Sequence, residues 1–382
     1  MPQTTVSIAD TRQQLRAAMP ITEQWAYFDH AAVAPVSQPA VLAMRQWLEE
    51  ASCAGDTAWP RWAQGLAAAR QSAACLIGAH EDEIALIPNT TTGINLVAEG
   101  MDWQPGDNVV ILADEFPSNA YPWINLAQQG VETRRLATDW GVVDMCQLAD
   151  LCDQRTRIVS VSWIAFASGC QRDLAAIRQL THDRGALLLV DAIQGIGAFP
   201  LDVQQMKIDF LAADGHKWQL GPEGAGLAYI RREHLNKLRP HGVGWHSVVH
   251  ASDFSHIELK LKESAARFEG GSHNMAGFIA WGASLDLLIQ LRIENIAAAI
   301  LDFTDQACAA LQQIGAEILS PRDPEKKSGI VTFDLPGRDA MSLRKQCLDQ
   351  GVVLSCRGGH LRISPHAYNN EEDLQRLVTA LQ

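Results

Sequence analysis

The chain has 382 residues, of which 47% are hydrophobic and 20% charged, a composition typical of a folded globular protein and not of a disordered chain. Its length suits one large domain with a smaller partner domain. The formal net charge of -13 at pH 7 excludes non-specific binding to nucleic acid or to an anionic membrane, because both require a basic surface. We therefore expect a small-molecule ligand.

Short apolar runs alternate with helical patterns through the first two thirds of the chain. The continuous apolar runs, typical of strands buried on both faces, are NVVILA (108–113), RIVSVSWI (157–164), ALLLVDA (186–192), DFLAAD (209–214) and GLAYIR (226–231). Helical patterns between them are SNAYPWINLAQQG (118–130) and CQRDLAAIRQLTHDRG (170–185). Strands that alternate with helices predict right-handed crossovers and an α/β fold with a mainly parallel sheet.

The pattern changes after a long helix that is predicted to begin near Glu294. The later segments are a strand GIVTFDL (329–335), a helix DAMSLRKQCLDQG (339–351), strands VVLSCR (352–357) and HLRISP (360–365), and a terminal helix. We interpret residues 291–382 as a small α+β domain and residues 26–290 as the large domain. Residues 1–25 are expected to pack on the small domain.

No segment resembles a secretory signal or a membrane-spanning helix, so a cytoplasmic protein without membrane contact is expected. The eight cysteines form no C-x-x-C pair, which disfavours structural zinc and a disulfide framework. We expect reduced thiols and no metal, with Cys356 as the one cysteine kept as a functional candidate.

Three polar groups follow predicted strands. Thr90, Thr91 and Thr92 precede an apolar helix, where N–H groups and the helix dipole can hold a phosphate, although helix capping alone also explains them. Asp191 ends a buried strand, and such a carboxylate requires a cationic partner. Lys217, in LAADGHKWQLGPEGAG (211–226), is either a solvated loop residue or a buried amine for covalent chemistry.

Together, the lysine, the aspartate and the phosphate site indicate pyridoxal 5'-phosphate. The lysine amine forms a Schiff base with the aldehyde of this cofactor, the aspartate keeps the pyridine nitrogen protonated, and the helix terminus anchors the phosphate. A nicotinamide-binding fold is rejected, because no G-x-G-x-x-G follows a predicted strand.

The same residues lie in motifs that extend over nearly the whole chain. They are YFDHAAVAP (27–35), NTTTGINL, DEFPSNAYPW, VDAIQ, DGHKWQLGPEGAG, RFEGGSHN and LRISPHAYNNEEDL. With these motifs the chain resembles the class V aminotransferase family of pyridoxal-phosphate enzymes of fold type I. That family includes cysteine desulfurases, selenocysteine lyases, isopenicillin N epimerases and kynureninases.

The resemblance implies a role for each matching residue. Lys217 matches the Schiff-base lysine, Asp191 the partner of the pyridinium, and Gln194 the residue that hydrogen-bonds the ring hydroxyl oxygen. Thr90 and Thr91 match the phosphate-binding threonine pair. His216 matches a further phosphate ligand.

Other matches concern the cofactor's open face and the neighbouring subunit. Phe116 or Pro117 occupies the position of the residue that stacks on the cofactor, and we favour Phe116 because a planar pyridine packs on an aromatic face. A core phenylalanine is the alternative. Ser272 replaces the threonine by which a neighbouring subunit completes the phosphate site. The resemblance therefore implies a homodimer with shared active sites.

The substrate is expected to be an amino acid. Arg362 matches the arginine that binds the substrate carboxylate, with a surface arginine as the alternative and Arg357 as a second candidate. His30, Ala31 and Ala32 match an N-terminal segment that closes over the substrate.

The chain departs from cysteine desulfurases at three points. No cysteine lies between Arg357 and Arg362, and Cys356 precedes both. The histidine that stacks on the cofactor in desulfurases is absent from EFPSN. Trp163 replaces an asparagine beside the cofactor, which predicts a smaller and more apolar pocket.

Lys217 is expected to remove the α-proton of the substrate as a general base. The outcome can then be C–S lysis, transamination or epimerisation. We expect a C–S lyase or a cysteine desulfurase-like reaction first, an aminotransferase second and an epimerase third. A non-catalytic scaffold on the same fold is the alternative from another class.

Overall fold

A computed structural model describes residues 7–382 of the chain. Its α-helices are α1 (Ile8–Ala17), α2 (Gln38–Cys53), α3 (Trp59–Ile77), α4 (Thr90–Gly100), α5 (Tyr121–Asn125), α6 (Met145–Leu151), α7 (Leu174–Asp183), α8 (Met275–Leu291), α9 (Ile293–Gln313), α10 (Ala340–Asp349) and α11 (Glu371–Leu381). Its strands are β1 (Ala26–Tyr27), β2 (Ile84–Ile87), β3 (Asn108–Leu112), β4 (Glu132–Leu136), β5 (Thr156–Ser162), β6 (Leu187–Asp191), β7 (Phe210–Asp214), β8 (Gly226–Ile230), β9 (Glu317–Ile318), β10 (Val331–Asp334), β11 (Val352–Val353), β12 (Ser355–Arg357) and β13 (His360–Ile363).

A seven-stranded sheet forms the centre of the molecule, with strand order β2-β8-β7-β6-β5-β3-β4. Strands β4, β3, β5, β6 and β7 pair in parallel, and β8 pairs antiparallel with both β7 and β2. The mainly parallel sheet predicted from the sequence is therefore confirmed. All five predicted apolar strands are present, each within two residues of its predicted bounds.

The continuous apolar character of these strands follows from burial on both faces. In β3, Val110 and Leu112 belong to one hydrophobic cluster, whereas Val109 and Ile111 belong to the cluster on the other face. Successive side chains of a strand point in opposite directions, so both residue sets must be apolar when helices cover both faces.

Two strands of the large sheet were not predicted. Strand β4 has the sequence ETRRL, and its side chains are mostly exposed or half-buried because it lies at the edge of the sheet. Strand β2, at the opposite edge, has only four residues. Neither strand gives the long apolar run by which the central strands were recognised.

The C-terminal segments form a second, four-stranded antiparallel sheet in the order β12-β13-β10-β9. A separate two-stranded sheet joins the N-terminal part of the chain to these segments, since β1 pairs in parallel with β11. Helix α1 contacts α9, where Arg12 forms an ion pair with Asp302. The predicted packing of residues 1–25 on this part falls partly outside the described residues, because residues 1–6 are not described, and the domain boundaries stay predictions.

Along the described chain, no helix combines the length and the apolar character that crossing a bilayer requires.

Candidate active site

The carboxyl ends of four neighbouring strands, β3, β5, β6 and β7, meet at one edge of the large sheet. Polar side chains collect at this edge of a parallel sheet, because loops and helix N-termini converge there. Asp191 is the last residue of β6, Lys217 lies in the loop after β7, and Phe116 lies in the loop after β3. The structure therefore brings these three predicted residues together.

Lys217 is 9% exposed, and its Nζ atom lies 5.6 Å from the centre of the Phe116 ring. No hydrogen bond within residues 7–382 engages this atom. Burial lowers the pKa of Lys217, the nearby Asp191 opposes that effect, and the positive charge of Arg362 adds to it. A larger share of the amine is thus uncharged near neutral pH, and only the uncharged amine attacks an aldehyde.

Asp191 is buried, and its Oδ1 atom accepts a hydrogen bond of 3.1 Å from the N–H of Ile193. Its other carboxylate oxygen has no hydrogen-bond donor in the described part of the chain. Burial raises the pKa of Asp191, and the N–H of Ile193 acts in the opposite direction. An unpaired oxygen on a buried carboxylate is unfavourable unless a cation or an N–H donor meets it. A protonated pyridine nitrogen is such a donor, so this residue fits the expected cofactor.

The N-terminus of α4 offers groups that suit a phosphate. Asn89 caps the helix by accepting a hydrogen bond from the N–H of Thr92, whereas the N–H of Thr91 has no acceptor among the described residues. The Thr90 hydroxyl accepts a hydrogen bond of 3.0 Å from the N–H of Asp214, which fixes α4 against the end of β7. The hydroxyl hydrogen of Thr90 remains available for a ligand, because a hydroxyl donates and accepts at once.

Gln194 and His216 already have partners within the protein. The side-chain oxygen of Gln194 accepts a hydrogen bond from Trp218 at 2.8 Å, and its nitrogen donates to the carbonyl oxygen of Ala31 at 3.0 Å. One amide N–H of Gln194 is left for the predicted contact with the cofactor. The Nδ1 atom of His216 lies 2.8 Å from a carboxylate oxygen of Asp214. Contacts of both residues with a cofactor stay predictions.

Arg362 is 1% exposed and is held by three different segments. It donates from Nε to the Ser355 hydroxyl at 3.1 Å, from Nη1 to the Phe166 carbonyl at 2.6 Å and from Nη2 to Asp29 at 3.1 Å. A guanidinium has five N–H donors, so one donor remains on each terminal nitrogen. Two donors in one plane are what a substrate carboxylate accepts in a bidentate contact.

Arg357 is less constrained, since the hydrogen bond recorded for its guanidinium goes to the carbonyl oxygen of the preceding residue, Cys356. Its charge, like that of Arg362, lowers the pKa of Lys217, so all three cations lie close together. The aromatic wall beside them consists of Phe116, which is 43% exposed, and Phe166, whose rings make an edge contact at 5.4 Å. Arg357 therefore remains a candidate for substrate binding.

His30 is held within the fold, and its contact with a substrate stays a prediction. Its side chain is fully buried, Nδ1 bonds the carbonyl oxygen of Ser364 at 2.9 Å, and Nε2 bonds the hydroxyl of Tyr368 at 2.9 Å. Both ring nitrogens are thus occupied within the fold. The main chain beside it does approach the site, because Ala34 donates to the carbonyl oxygen of His216 at 2.7 Å. Ala32, which is half-buried in this segment, stays a predicted contact.

Ser272 lies in the loop before α8 and is exposed. Within residues 7–382 its side chain makes no hydrogen bond. Its expected role in a neighbouring subunit stays a prediction.

Trp163 is buried, and its effect on the substrate pocket stays a prediction. Its ring lies against Gly195, where a Cβ atom would come within 2.0 Å of the ring, and makes an edge contact with Phe199. Trp163 therefore packs against the loop that carries Gln194.

Cys356 is half-buried in β12, opposite Leu361.

The sequence did not single out Asp29, Phe166, Glu115 and Arg172. Asp29 pairs with Arg362, although the two residues are 333 positions apart. Glu115 and Arg172 form a buried ion pair at the ends of β3 and β5. An acidic residue at the end of an apolar run is the signal that identified Asp191, and Asp114 and Glu115 after NVVILA show the same signal.

Comparisons with known proteins agree with this geometry. A family model described as aminotransferase class-V matches residues 26–377. A probable cysteine desulfurase from Methanothermobacter thermautotrophicus is 34% identical, with 97% of each chain covered. The crystal structure of a cysteine desulfurase from Escherichia coli has 26% identity and a TM-score of 0.86, with 97% of each chain covered.

The cystine C–S lyase C-DES has the same fold. In complex with its product, cysteine persulfide, it has 24% identity and a TM-score of 0.87, over 94% of this chain and 97% of that chain. A mutant of C-DES with glycine covalently linked to its pyridoxal-phosphate cofactor has 24% identity and a TM-score of 0.90, over 96% and 98% of the two chains. These similarities confirm the fold that the sequence motifs implied.

Proposed function

The chain belongs to the class V aminotransferase family, and on that premise we propose that it is an enzyme that cleaves the C–S bond of a cysteine derivative. The reaction is that of a C–S lyase or of a cysteine desulfurase-like enzyme, and its cofactor is pyridoxal 5'-phosphate. The relative with 34% identity over 97% of the chain, a probable cysteine desulfurase, supports this choice over transamination and epimerisation.

The observation that carries the proposal is the meeting of Lys217, Asp191 and Arg362 at one edge of the sheet. When bound, the cofactor supplies an aldehyde for a lysine amine and a ring that accepts negative charge from the α-carbon of an amino acid. Lys217 offers an unpaired amine, and Asp191 offers an unpaired carboxylate oxygen for the ring nitrogen. Arg362 offers two donors for the substrate carboxylate.

Lys217 would act as the general base, because its amine would lie beside the α-carbon of a bound substrate. The two donors of Arg362 fix the carboxylate, which determines the bond at the α-carbon that faces Lys217. Thr90, Thr91 and His216 would hold the phosphate. This contact would keep the ring nitrogen of the cofactor beside Asp191.

Phe116 influences which sulfur can leave. A phenyl ring covers the position next to Lys217 and has no proton to donate to a departing sulfur atom. A leaving group that is stable as an anion needs no such proton. Disulfide substrates such as cystine, whose C–S bond breaks to release a persulfide anion, therefore suit this site better than free cysteine. The fold accommodates such a reaction, as the cystine C–S lyase C-DES has it.

The enzyme is proposed to work as a homodimer. The loop over residues 241–262 exposes large apolar side chains, among them Phe254, Ile257 and Leu259, of which Ile257 is 92% exposed. Exposed apolar groups in such number favour a protein partner. His246 in this loop contacts His273, the neighbour of Ser272. The apolar loop and Ser272 thus lie on the same side of the molecule. A second copy that binds this side would receive Ser272 at its own active site.

Cytoplasmic localisation is proposed on the grounds that the eight cysteines are all unpaired, which suits a reducing compartment.

The first test is the visible absorbance of the purified protein, followed by product analysis with L-cystine and L-cysteine. We expect a yellow protein that loses its colour on borohydride reduction and forms pyruvate, ammonia and a persulfide from cystine. Alanine with sulfide would indicate desulfurase chemistry, and a keto acid with the amine form of the cofactor would indicate transamination. Lys217→Ala is the control, since it should remove the visible band. A wild-type protein that takes up no cofactor would refute the proposal in favour of a non-catalytic scaffold.

Complementation tests the shared site. Lys217→Ala and Ser272→Asp subunits are each expected to be inactive, the second because a carboxylate repels the phosphate. If Ser272 serves the neighbouring subunit, the mixed dimer contains one site with both native residues, and activity returns on mixing. Activity that does not return, although mixed dimers form, would place Ser272 outside the partner's site.

A further inference from the structure

Glu115 and Arg172 form a buried pair of opposite charges beside Asp191, and the proposed reaction assigns them no role. Glu115 follows β3 and its carboxylate is inaccessible to solvent. The side chain of Arg172 is 1% exposed. Burying two charges is unfavourable unless geometry and hydrogen bonds compensate, so a pair at this position calls for an explanation.

The hydrogen bonds at Glu115 are those of an ionised carboxylate. Its Oε1 atom accepts from the N–H of Ser162 at 2.7 Å and from Nη1 of Arg172 at 3.3 Å. Its Oε2 atom accepts from the hydroxyl of Ser162. Burial raises the pKa of Glu115, and Arg172 and Ser162 offset that rise only in part. Among residues 7–382, three donors and no acceptor contact the Glu115 carboxylate. These surroundings suit its ionised form, which only accepts hydrogen bonds.

Ser162 connects Glu115 to Asp191. Ser162 and Asp191 are paired in the ladder between β5 and β6, and the next residue, Trp163, donates its N–H to the carbonyl oxygen of Asp191 at 2.9 Å. Both main-chain and side-chain groups of Ser162 are held by Glu115. The glutamate thus fixes the segment against which Asp191 rests.

Arg172 does not fully neutralise Glu115. Nη2 of Arg172 contacts both carboxylate oxygens of Asp114 at 3.0 Å, and Nη1 also donates to the carbonyl oxygen of Ser162 at 2.7 Å. One positive charge is therefore shared between two carboxylates. Asp114, Glu115 and Arg172 together carry a formal charge of -1.

We propose that Glu115 is a positioning residue for the cofactor ring: it fixes Ser162 beside Asp191 and adds a second negative charge that favours the protonated ring nitrogen. The inference rests on the proposed function, because it takes Asp191 as the partner of that nitrogen. Glu115 acts through Asp191 and contacts neither substrate nor cofactor.

Glu115→Gln tests the inference, with Asp114→Asn as the matched control on the other side of Arg172. Glutamine keeps the shape and can keep the hydrogen bonds to Ser162, but it removes the charge. The readouts are the dissociation constant for pyridoxal phosphate and the pH at which the visible band of the holoenzyme titrates without substrate. Without the negative charge of Glu115, the protonated form of the bound cofactor is less stable. The midpoint of the visible-band titration therefore moves to lower pH, by about half a unit or more, and the affinity for pyridoxal phosphate falls about tenfold.

Asp114 is partly exposed and makes no hydrogen bond to Ser162, so Asp114→Asn is expected to move the midpoint by less than about 0.2 units. Glu115→Asp, which restores the charge, is expected to return the midpoint toward the wild-type value. An unchanged midpoint in Glu115→Gln, or an equal shift in Asp114→Asn, would overturn the proposal.

If Glu115→Gln does not fold, Ser162→Ala decides the question. It removes one hydrogen bond that stabilises the Glu115 anion and alters no charge, so a smaller shift in the same direction is expected, and an unchanged midpoint would overturn the proposal. Failure of the proposed function is a different result, namely a wild-type protein that shows no visible band.

Discussion

Replacing Glu269 by glutamine tests the buried ion cluster beneath the loop that carries Ser272. The Glu269 carboxylate is bound through both oxygens by the guanidinium of Arg70, and Nε2 of His273 lies 2.7 Å from Oε2. The N–H of Leu86, in edge strand β2, also donates to Glu269 at 2.8 Å. The cluster thus fastens the RFEGGSHN segment to α3 and to the sheet.

The magnitude follows from the pKa of Glu269. Burial alone would raise it, but the hydrogen bonds from His273 and Arg70 outweigh burial and lower the pKa to about 2, from an ordinary value of 4.5. A difference of about 2.5 units corresponds to about 3 kcal/mol of folding free energy at neutral pH. Because the folded-state pKa is depressed, this contribution is complete above about pH 5 and is lost as the pH falls toward 2. About 2 kcal/mol of it should be gone at pH 3.

The assay is urea unfolding of cofactor-free wild-type and Glu269→Gln protein at one protein concentration, at pH 5.5, 4 and 3. Starting at pH 5.5 keeps the measurement below the usual titration range of histidine. The free-energy difference between the two proteins should shrink by about 2 kcal/mol over this range. Glu263→Gln, a change of an exposed carboxylate nearby, is the control and should differ from wild type by a constant amount. A Glu269 difference that is also constant between pH 5.5 and pH 3 would refute the reasoning.

Three further substitutions test the site. Asp29→Asn should raise the KM for amino acids about fivefold to tenfold, because Arg362 loses its anionic partner. Cofactor content should be unchanged and kcat should change little. An unchanged KM in steady-state kinetics would contradict this prediction. Gly195→Ala should lower the free energy of unfolding by about 1–3 kcal/mol, because its Cβ overlaps the ring of Trp163, and an unchanged urea midpoint would speak against that contact. Cys356→Ser should retain full turnover, whereas lost turnover would restore a persulfide route through Cys356.

The central strands could be predicted because each is buried on both faces, which leaves a continuous apolar run in the sequence. The edge strand β4 could not, since ETRRL has a mostly exposed or half-buried pattern of side chains. The single helix predicted over 118–130 is instead α5, Tyr121–Asn125, flanked by 3-10 turns. Pro122 in the first turn of α5 and Gly130 in a left-handed conformation at its end limit regular helix there.

The sequence predicted those residues of the site that lie at or after the ends of strands. Lys217 and Asp191 follow recognisable apolar strands, and parallel neighbours place such ends at one edge. Pairings between distant segments leave no local signal, and the contact between Asp29 and Arg362 is of this kind. The hydrogen bond between His30 and Tyr368 is a second pairing of this kind.

The distribution of buried charge at this edge matches the proposed position of the cofactor. Arg362 has a carboxylate partner in Asp29, and Arg172 contacts two carboxylates. Among residues 7–382, Lys217 and Asp191 are the buried cation and anion of the site that have no ion-pair contact with any side chain, although each influences the pKa of the other. A ligand that presents an aldehyde to Lys217 and a basic ring nitrogen to Asp191 satisfies both groups at once. Pyridoxal phosphate has those two groups at opposite positions of one ring, so the two unpaired charges match it in the proposed orientation.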